Sequence, residues 1–385
     1  MKARLIADRR LGDAVAGLLR TEHSPVPVIL AAVIVFGAFS AASPSVYPTG
    51  ANIQAMAFAL PEVGILALAV MLSMVIAGID LSVVGTANLA SVAMGELYAH
   101  GGSGLLPGGW GSVALGAAVA LGAGAACGVV NGLVIGLVGI SDILATLATG
   151  YIFGGLALAW TGGNVLSQLP PDLGDLGTAT VAGVPVVFLV YLVAGAIVAI
   201  LLNRSRFGLR AVLVGSNVTA ARLSGIRRPR IVMGTYVATG MLAALAGVIF
   251  TARTADVTAA YGASYLLLAV VIAVLGGVDP NGGFGTVLGV IAAAAVLQML
   301  QSGFDVLRAN QFLYQAVQGL ILIVVLAVNV RARSWFGRLG RTAAFPGEAS
   351  SPSDPAAPGS AQPEATGLPG EDNILAASET THPYD

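Results

Sequence analysis

Residues 204–230, RSRFGLRAVLVGSNVTAARLSGIRRPR, form a charged island between two long apolar runs and carry Arg204, Arg206, Arg210, Arg222, Arg227, Arg228 and Arg230. An arginine at a bilayer centre costs about 3 kcal/mol on insertion scales, so the island stays outside the hydrocarbon. Positive charge also favours the cytoplasmic side, and the island thereby orients the runs that flank it. Ser216 or Asn217 can cap a short helix that runs through residues 221–224, and Gly225 can end it in the left-handed conformation. Two turns are too short to span a membrane. They suit a contact piece for a cytoplasmic partner.

Around the island, apolar runs recur at the length a bilayer demands, about 20 residues at about 1.5 Å rise each. Spans are expected at 26–43, 54–79, 83–99, 112–138, 141–161, 184–203, 230–252, 264–278, 285–302 and 313–330. The chain is 56% hydrophobic and 10% charged, against roughly a quarter charged in a soluble domain, so the expected class is all-α and polytopic. Charge placement favours an even number of spans. With ten, both termini are cytoplasmic and 16 of the 18 basic residues share that side, leaving Arg253 and Arg308 outside. The expected organisation is a basic cytoplasmic segment at 1–24, a transmembrane domain at 25–333 that includes the 204–230 loop, and an acidic cytoplasmic tail at 342–385. The tail is rich in Pro, Ala, Ser and Gly, a composition that buries too little apolar surface to offset its ordering entropy. The basic segment reads either as an amphipathic helix on an anionic membrane or as a solvated tail.

Several chemistries are excluded. One cysteine, Cys127, and three scattered histidines, His23, His100 and His382, give neither a disulfide framework nor a metal site. The only lysine is Lys2, so the chain lacks the GxxxxGK[ST] loop that reaches nucleotide phosphates. ATP hydrolysis by that route requires another subunit. No nucleophile–base pair marks an enzyme.

Polar residues inside apolar runs are functional candidates by default. Glu62 follows Pro61 in the second run, and Asn88, Gln298, Gln315 and Gln318 are neutral groups in or near spans. They either line a path for a hydroxyl-rich solute or bond helices together. Asp80 and Asp279 fall in an echoed [AG]-G-[IV]-D pattern, AGIDLS and GGVDPN, whose sober reading is helix-end chemistry. Gly124, Gly128, Gly132 and Gly136 recur at every fourth position, a smooth stripe that suits close packing within the subunit better than a dimer interface.

Four segments, AGIDLSVVGTANLAS at 77–91, SDILATLATGYIFGGLALAWTGG at 141–163, RSRFGLRAVLVGSNVTAARLSGI at 204–226 and VIAVLGGVDPNGGFGTVLGV at 271–290, together resemble the permease subunits of ribose-type monosaccharide ABC importers. The resemblance runs over about residues 50–330; one departure is GVDPNGGFGT where the family usually has GTSLFGGRGS. It implies an ABC importer permease fold in the bacterial inner membrane and a translocation path formed with a second permease, identical or related. It also implies two ATP-binding subunits that hold ATP and Mg, and an extracytoplasmic sugar-binding protein; nucleic acid has no part. The ATPase-coupling element it implies comprises Gly215, Ser216, Asn217, Ala220, Ala221, Ser224, Gly225 and Ile226. Related importers carry branched-chain amino acids, nucleosides or sugar-like signals. A secondary transporter working alone is the reading from another class, with Glu62 or Asp80 as its ion site.

Overall fold

A computed structural model of the chain describes residues 26–100, 109–262, 264–310, 312–321 and 323. The basic segment 1–24 and the acidic tail 342–385 lie outside the described residues. The helices are α1 (Val26–Ala42), α2 (Gly50–Val75), α3 (Val83–His100), α4 (Trp110–Leu133, continued by a π-helical turn Val134–Val138), α5 (Asp142–Thr161), α6 (Pro171–Thr178), α7 (Val186–Arg204), α8 (Arg206–Ser216), α9 (Val218–Leu223), α10 (Arg228–Thr254), α11 (Tyr265–Leu275), α12 (Val287–Val306) and α13 (Phe312–Ile321). The strands among the described residues are two-residue pieces, β1 (Thr180–Val181) and β2 (Val184–Pro185), which pair antiparallel.

Among the described residues each expected span contains one helix. Among the described residues six are long and apolar enough to cross a membrane: α2, α4 with its π turn, α5, α7, α10 and α12. The expected run 264–278 is cut down to the 11 residues of α11, because Gly276 and Gly277 turn the backbone out of the helix. α3 has 18 residues but carries Thr86, Asn88, Ser91 and Glu96, which lower its hydropathy. α2 is central, with 72% of its most apolar window buried, whereas α5 with 28% lies at the rim.

α2 starts where the Thr49 hydroxyl accepts from the Asn52 N–H (3.4 Å). It ends in a Schellman turn: Gly78 N–H donates to Ser73 C=O (3.0 Å) across Ala77, which has φ +64°. α11 ends the same way, with Val278 N–H donating to Ala273 C=O (3.1 Å) across Gly277 at φ +81°. The echoed AGIDLS and GGVDPN segments therefore both mark broken helices. They also meet, since Gly283 N–H donates to Val75 C=O (2.9 Å).

The glycine stripe packs inside the subunit, as its spacing suggests. A Cβ at Gly124 or Gly128 would overlap the carbonyl oxygen of Gly240 or Tyr236 on α10. At Gly132 it would meet the Met233 Cα at 2.8 Å. α4 and α10 thus lie backbone to backbone, the approach that small residues allow in a membrane.

Candidate functional site: the arginine loop and the joint beneath it

The arginine island folds into α8, α9 and the first turn of α10. α8 begins at Ser205, whose hydroxyl accepts from Gly208 N–H (3.0 Å), and Gly208 sits against the backbone of Leu202. α9 is capped by Asn217, whose Oδ1 accepts from Ala220 N–H (2.9 Å); Ser216 turns its hydroxyl back to the Val212 carbonyl (2.8 Å) instead. At its other end Ile226 N–H donates to Ala221 C=O (3.0 Å) around Gly225 at φ +78°. Asn217 and Gly225 therefore cap the two ends of α9. Ala221 is buried and Ile226 half-buried, anchoring the helix, while Ala220, Ser224 and Gly225 are exposed and Leu223 projects outward, 85% exposed.

Beneath α9 lies a joint of backbone contacts. Gly215, the penultimate residue of α8, is buried so closely that a Cβ would overlap the Val75 carbonyl and stand 2.6 Å from Gly283 N. A Cβ on Gly283 would stand 3.0 Å from Ser216 Cα, and one on Gly282 would stand 2.6 Å from Ala77 Cβ. The end of α8 is thereby wedged against the break after α2 and the break after α11. Backbone atoms cannot rotate aside as side chains do, so displacement of α8 must carry both breaks with it.

Asp80 is buried in the first break. Its Oδ1 accepts from Ser82 N–H (2.9 Å) and Ser82 O–H (2.6 Å), and its Oδ2 accepts from Thr239 O–H (2.8 Å) on α10. Asn131 on α4 extends the network, donating to Ser82 Oγ (2.7 Å) and accepting from Thr149 O–H (2.6 Å) on α5. The sequence pattern singles out Asp80 but not Thr239, because the bond from Thr239 to Asp80 joins residues 159 positions apart. Asp279 makes a local turn, its Oδ1 accepting from Asn281 N–H (2.9 Å).

The five path candidates are not brought together in one cavity of this subunit. Gln315 and Gln318 line a 510 Å³ cleft with apolar Ile79, Leu81 and Ile143. Gln298 faces a separate crevice beside Leu60 and Tyr314. Asn88 is buried on α3. Glu62, 2% exposed, is ion-paired to Arg253 and accepts from Tyr265 O–H (3.1 Å) and Tyr261 O–H (3.5 Å). No group of three or more His, Cys, Asp or Glu among the described residues could hold a metal ion.

Broken helices at the centre of an apolar bundle, tied to a capped helix on a basic loop, are an arrangement found in membrane transport proteins. The chain belongs to the branched-chain amino acid transport system / permease component family, whose family model matches residues 52–326. It is similar to the autoinducer 2 import system permease protein LsrD of Yersinia enterocolitica, 30% identical over 69% of this chain and 79% of the relative. It is 33% identical to the ribose import permease protein RbsC of Bacillus subtilis over 52% of this chain and 62% of that one. The autoinducer 2 import system permease protein LsrC of Salmonella choleraesuis is 32% identical over 70% of this chain and 75% of its own. Among solved structures, one described as an inward-facing conformation of a metal-chelate type ABC transporter matches 80% of this chain and 98% of its own, at 15% identity and a TM-score of 0.48. The chain is thus a permease subunit of the ABC importer class.

Proposed function

We propose that this permease imports a monosaccharide or a sugar-like solute of the ribose kind across the bacterial inner membrane, with both termini in the cytoplasm. It works paired with a second permease, with two ATP-binding subunits that hold ATP and Mg, and with an extracytoplasmic sugar-binding protein. The relatives named for ribose and autoinducer 2 support the solute class over an amino acid. The single Lys2 supports a separate ATPase, since no phosphate-binding loop can be built around it.

The observation that carries the coupling role is the wedge of Gly215 between Val75 C=O and Gly283 N. ATPases closing on ATP would move α9 through its exposed Leu223, and α8 would pass that movement to both broken helices. Alternating access then needs only rigid-body rocking about the path, with the breaks as hinges. The coupling residues Gly215, Ser216, Asn217, Ala220, Ala221, Ser224, Gly225 and Ile226 divide accordingly: Asn217 and Gly225 shape α9, Ala221 and Ile226 anchor it, and Gly215 and Ser216 meet the breaks. A secondary transporter is disfavoured, because Arg253 already neutralises Glu62 and three hydrogen bonds already occupy Asp80.

Gly225 offers a clean test. Open space surrounds it, so substitution acts only through its positive φ. The left-handed conformation costs an ordinary L-residue about 1–2 kcal/mol, which predicts about tenfold slower uptake for Gly225→Val. Asn tolerates that conformation, and Gly225→Asn should transport near the wild-type rate. Proteoliposomes supplied with ATPase, ATP and binding protein would measure it. Equal uptake by the two variants would remove α9 from the coupling role, and uptake without ATP would refute the importer reading itself.

A further inference from the structure

The arginine loop gathers its positive charge around two cavities. Two adjoining cavities, of 670 and 370 Å³, share Arg227 and Arg230; the larger is also lined by Arg222, Arg228 and Leu137, and the smaller by Arg210. Asp142, at the start of α5, lies within electrostatic reach of Arg228. Arg210, Arg222, Arg227 and Arg230 form no ion pair with an acidic side chain among the described residues. Like charges gathered along one cleft repel, and an anion bound among them would relieve that repulsion.

The surroundings identify the anion's chemistry. Leu137 and Val138, at the end of the span Trp110–Val138, are 68% and 70% exposed, and Leu137 lines the larger cavity with the arginines. On α8, Leu209 and Leu213 are exposed one turn apart, next to Arg206 and Arg210, which are likewise one turn apart. Apolar and guanidinium side chains mixed at the end of a span match the boundary between headgroups and acyl chains. A soluble anion would meet the guanidinium groups but leave Leu137, which lines the larger cavity, in water.

We propose that this cleft is a binding site for the phosphate headgroup of an anionic phospholipid, with Arg227 and Arg230 as its central donors and Leu137 against the acyl chain. Arginine's planar fork of donors suits phosphate oxygens, which it can engage two at a time. The α10 N-terminus adds the positive end of its dipole. The lipid would fill the space between α9 and the first turn of α10, so the membrane itself would brace the coupling helix. The site does not depend on which solute the permease carries.

The test uses the full-length chain purified in mild detergent, mixed with phosphatidylglycerol or phosphatidylcholine, with retained lipid counted by native mass spectrometry. Phosphatidylglycerol should be retained preferentially, and the double variant R227Q/R230Q should lose the preference, at about fivefold per arginine. R204Q, on the same loop but outside the cleft, should keep it. Equal retention by wild type and the double variant would overturn the site. So would displacement of phosphatidylglycerol by excess inorganic phosphate, which would mark a free-anion site, or its loss on adding the ATPase, which would give the cleft to that protein. Should the double variant fail to fold, a Leu137→Trp reporter in the otherwise native chain decides. Brominated phosphatidylglycerol should quench its fluorescence more than brominated phosphatidylcholine, and equal quenching would overturn the proposal.

Discussion

Gly128→Val is expected to part the two central helices and to lower stability by about 3 kcal/mol or more, beyond the usual range for an overpacked core. A Cβ at this position would overlap the Tyr236 carbonyl oxygen and lie 2.6 Å from Val237 Cα, and both are backbone atoms of α10. Neither can swing away, so relief requires the helices to separate along their length. That separation also strips Gly124 from Gly240 and Gly132 from Met233, because one rigid face carries all three glycines. In a bilayer the loss is not offset by hydrophobic attraction between helices, since lipid is as apolar as the partner. Gly122 on the same helix is the control: nothing lies within 4 Å of its Cβ position. Gly122→Ala should be neutral or stabilising by up to about 1 kcal/mol through helix propensity alone. Thermal unfolding of the three proteins in detergent would show a lowered midpoint for Gly128→Val only; matching midpoints for the two variants would mean that the stripe does not set the helix contact.

That stripe was legible because glycine spacing is a local property, and the caps of α9 were legible for the same reason. Asn217 and Gly225 announce their roles by side-chain chemistry and φ preference. α2 ends at Val75, before the apolar run does. Ile76, Ala77 and Ile79 continue the apolar run, and an alanine gives no sign that it will take the left-handed conformation glycine takes at 277. α8 does not show in the sequence because its arginines hide an amphipathic helix, and α6 is too short and polar to stand out. The joint around Gly215 was the least visible part. It is made of backbone atoms from residues near 75, 215 and 283, and a single chain gives no pattern by which such distant contacts can be matched. The resemblance marked Gly215 as part of the coupling element, but only the packing shows what it touches.

The largest electrostatic effect should come from Glu62 and Arg253, whose pairing across 191 positions was equally hidden. The Glu62 side chain is 3% exposed and the Arg253 side chain 27%, so the pair is mostly removed from water. Taking away one partner leaves the other charge buried, which costs about 3–5 kcal/mol, with the lower figure appropriate to the partly exposed arginine. Glu62→Gln keeps the shape and the tyrosine hydrogen bonds from Tyr265 and Tyr261 but strands Arg253. Arg253→Met strands Glu62. The double variant strands neither charge, and it should recover to within about 2 kcal/mol of the wild type, because a neutral pair of similar volume often replaces a buried ion pair with little loss. A double-mutant cycle on unfolding in detergent measures this as a coupling energy, and additive losses would mean that the two groups do not interact. The same variants separate the two transport readings. If Glu62 were the ion site of a solitary transporter, Glu62→Gln would abolish uptake at unchanged stability, and Arg253→Met would not restore it. If the pair ties α2 to the end of α10, uptake should fall and recover in step with stability across the cycle.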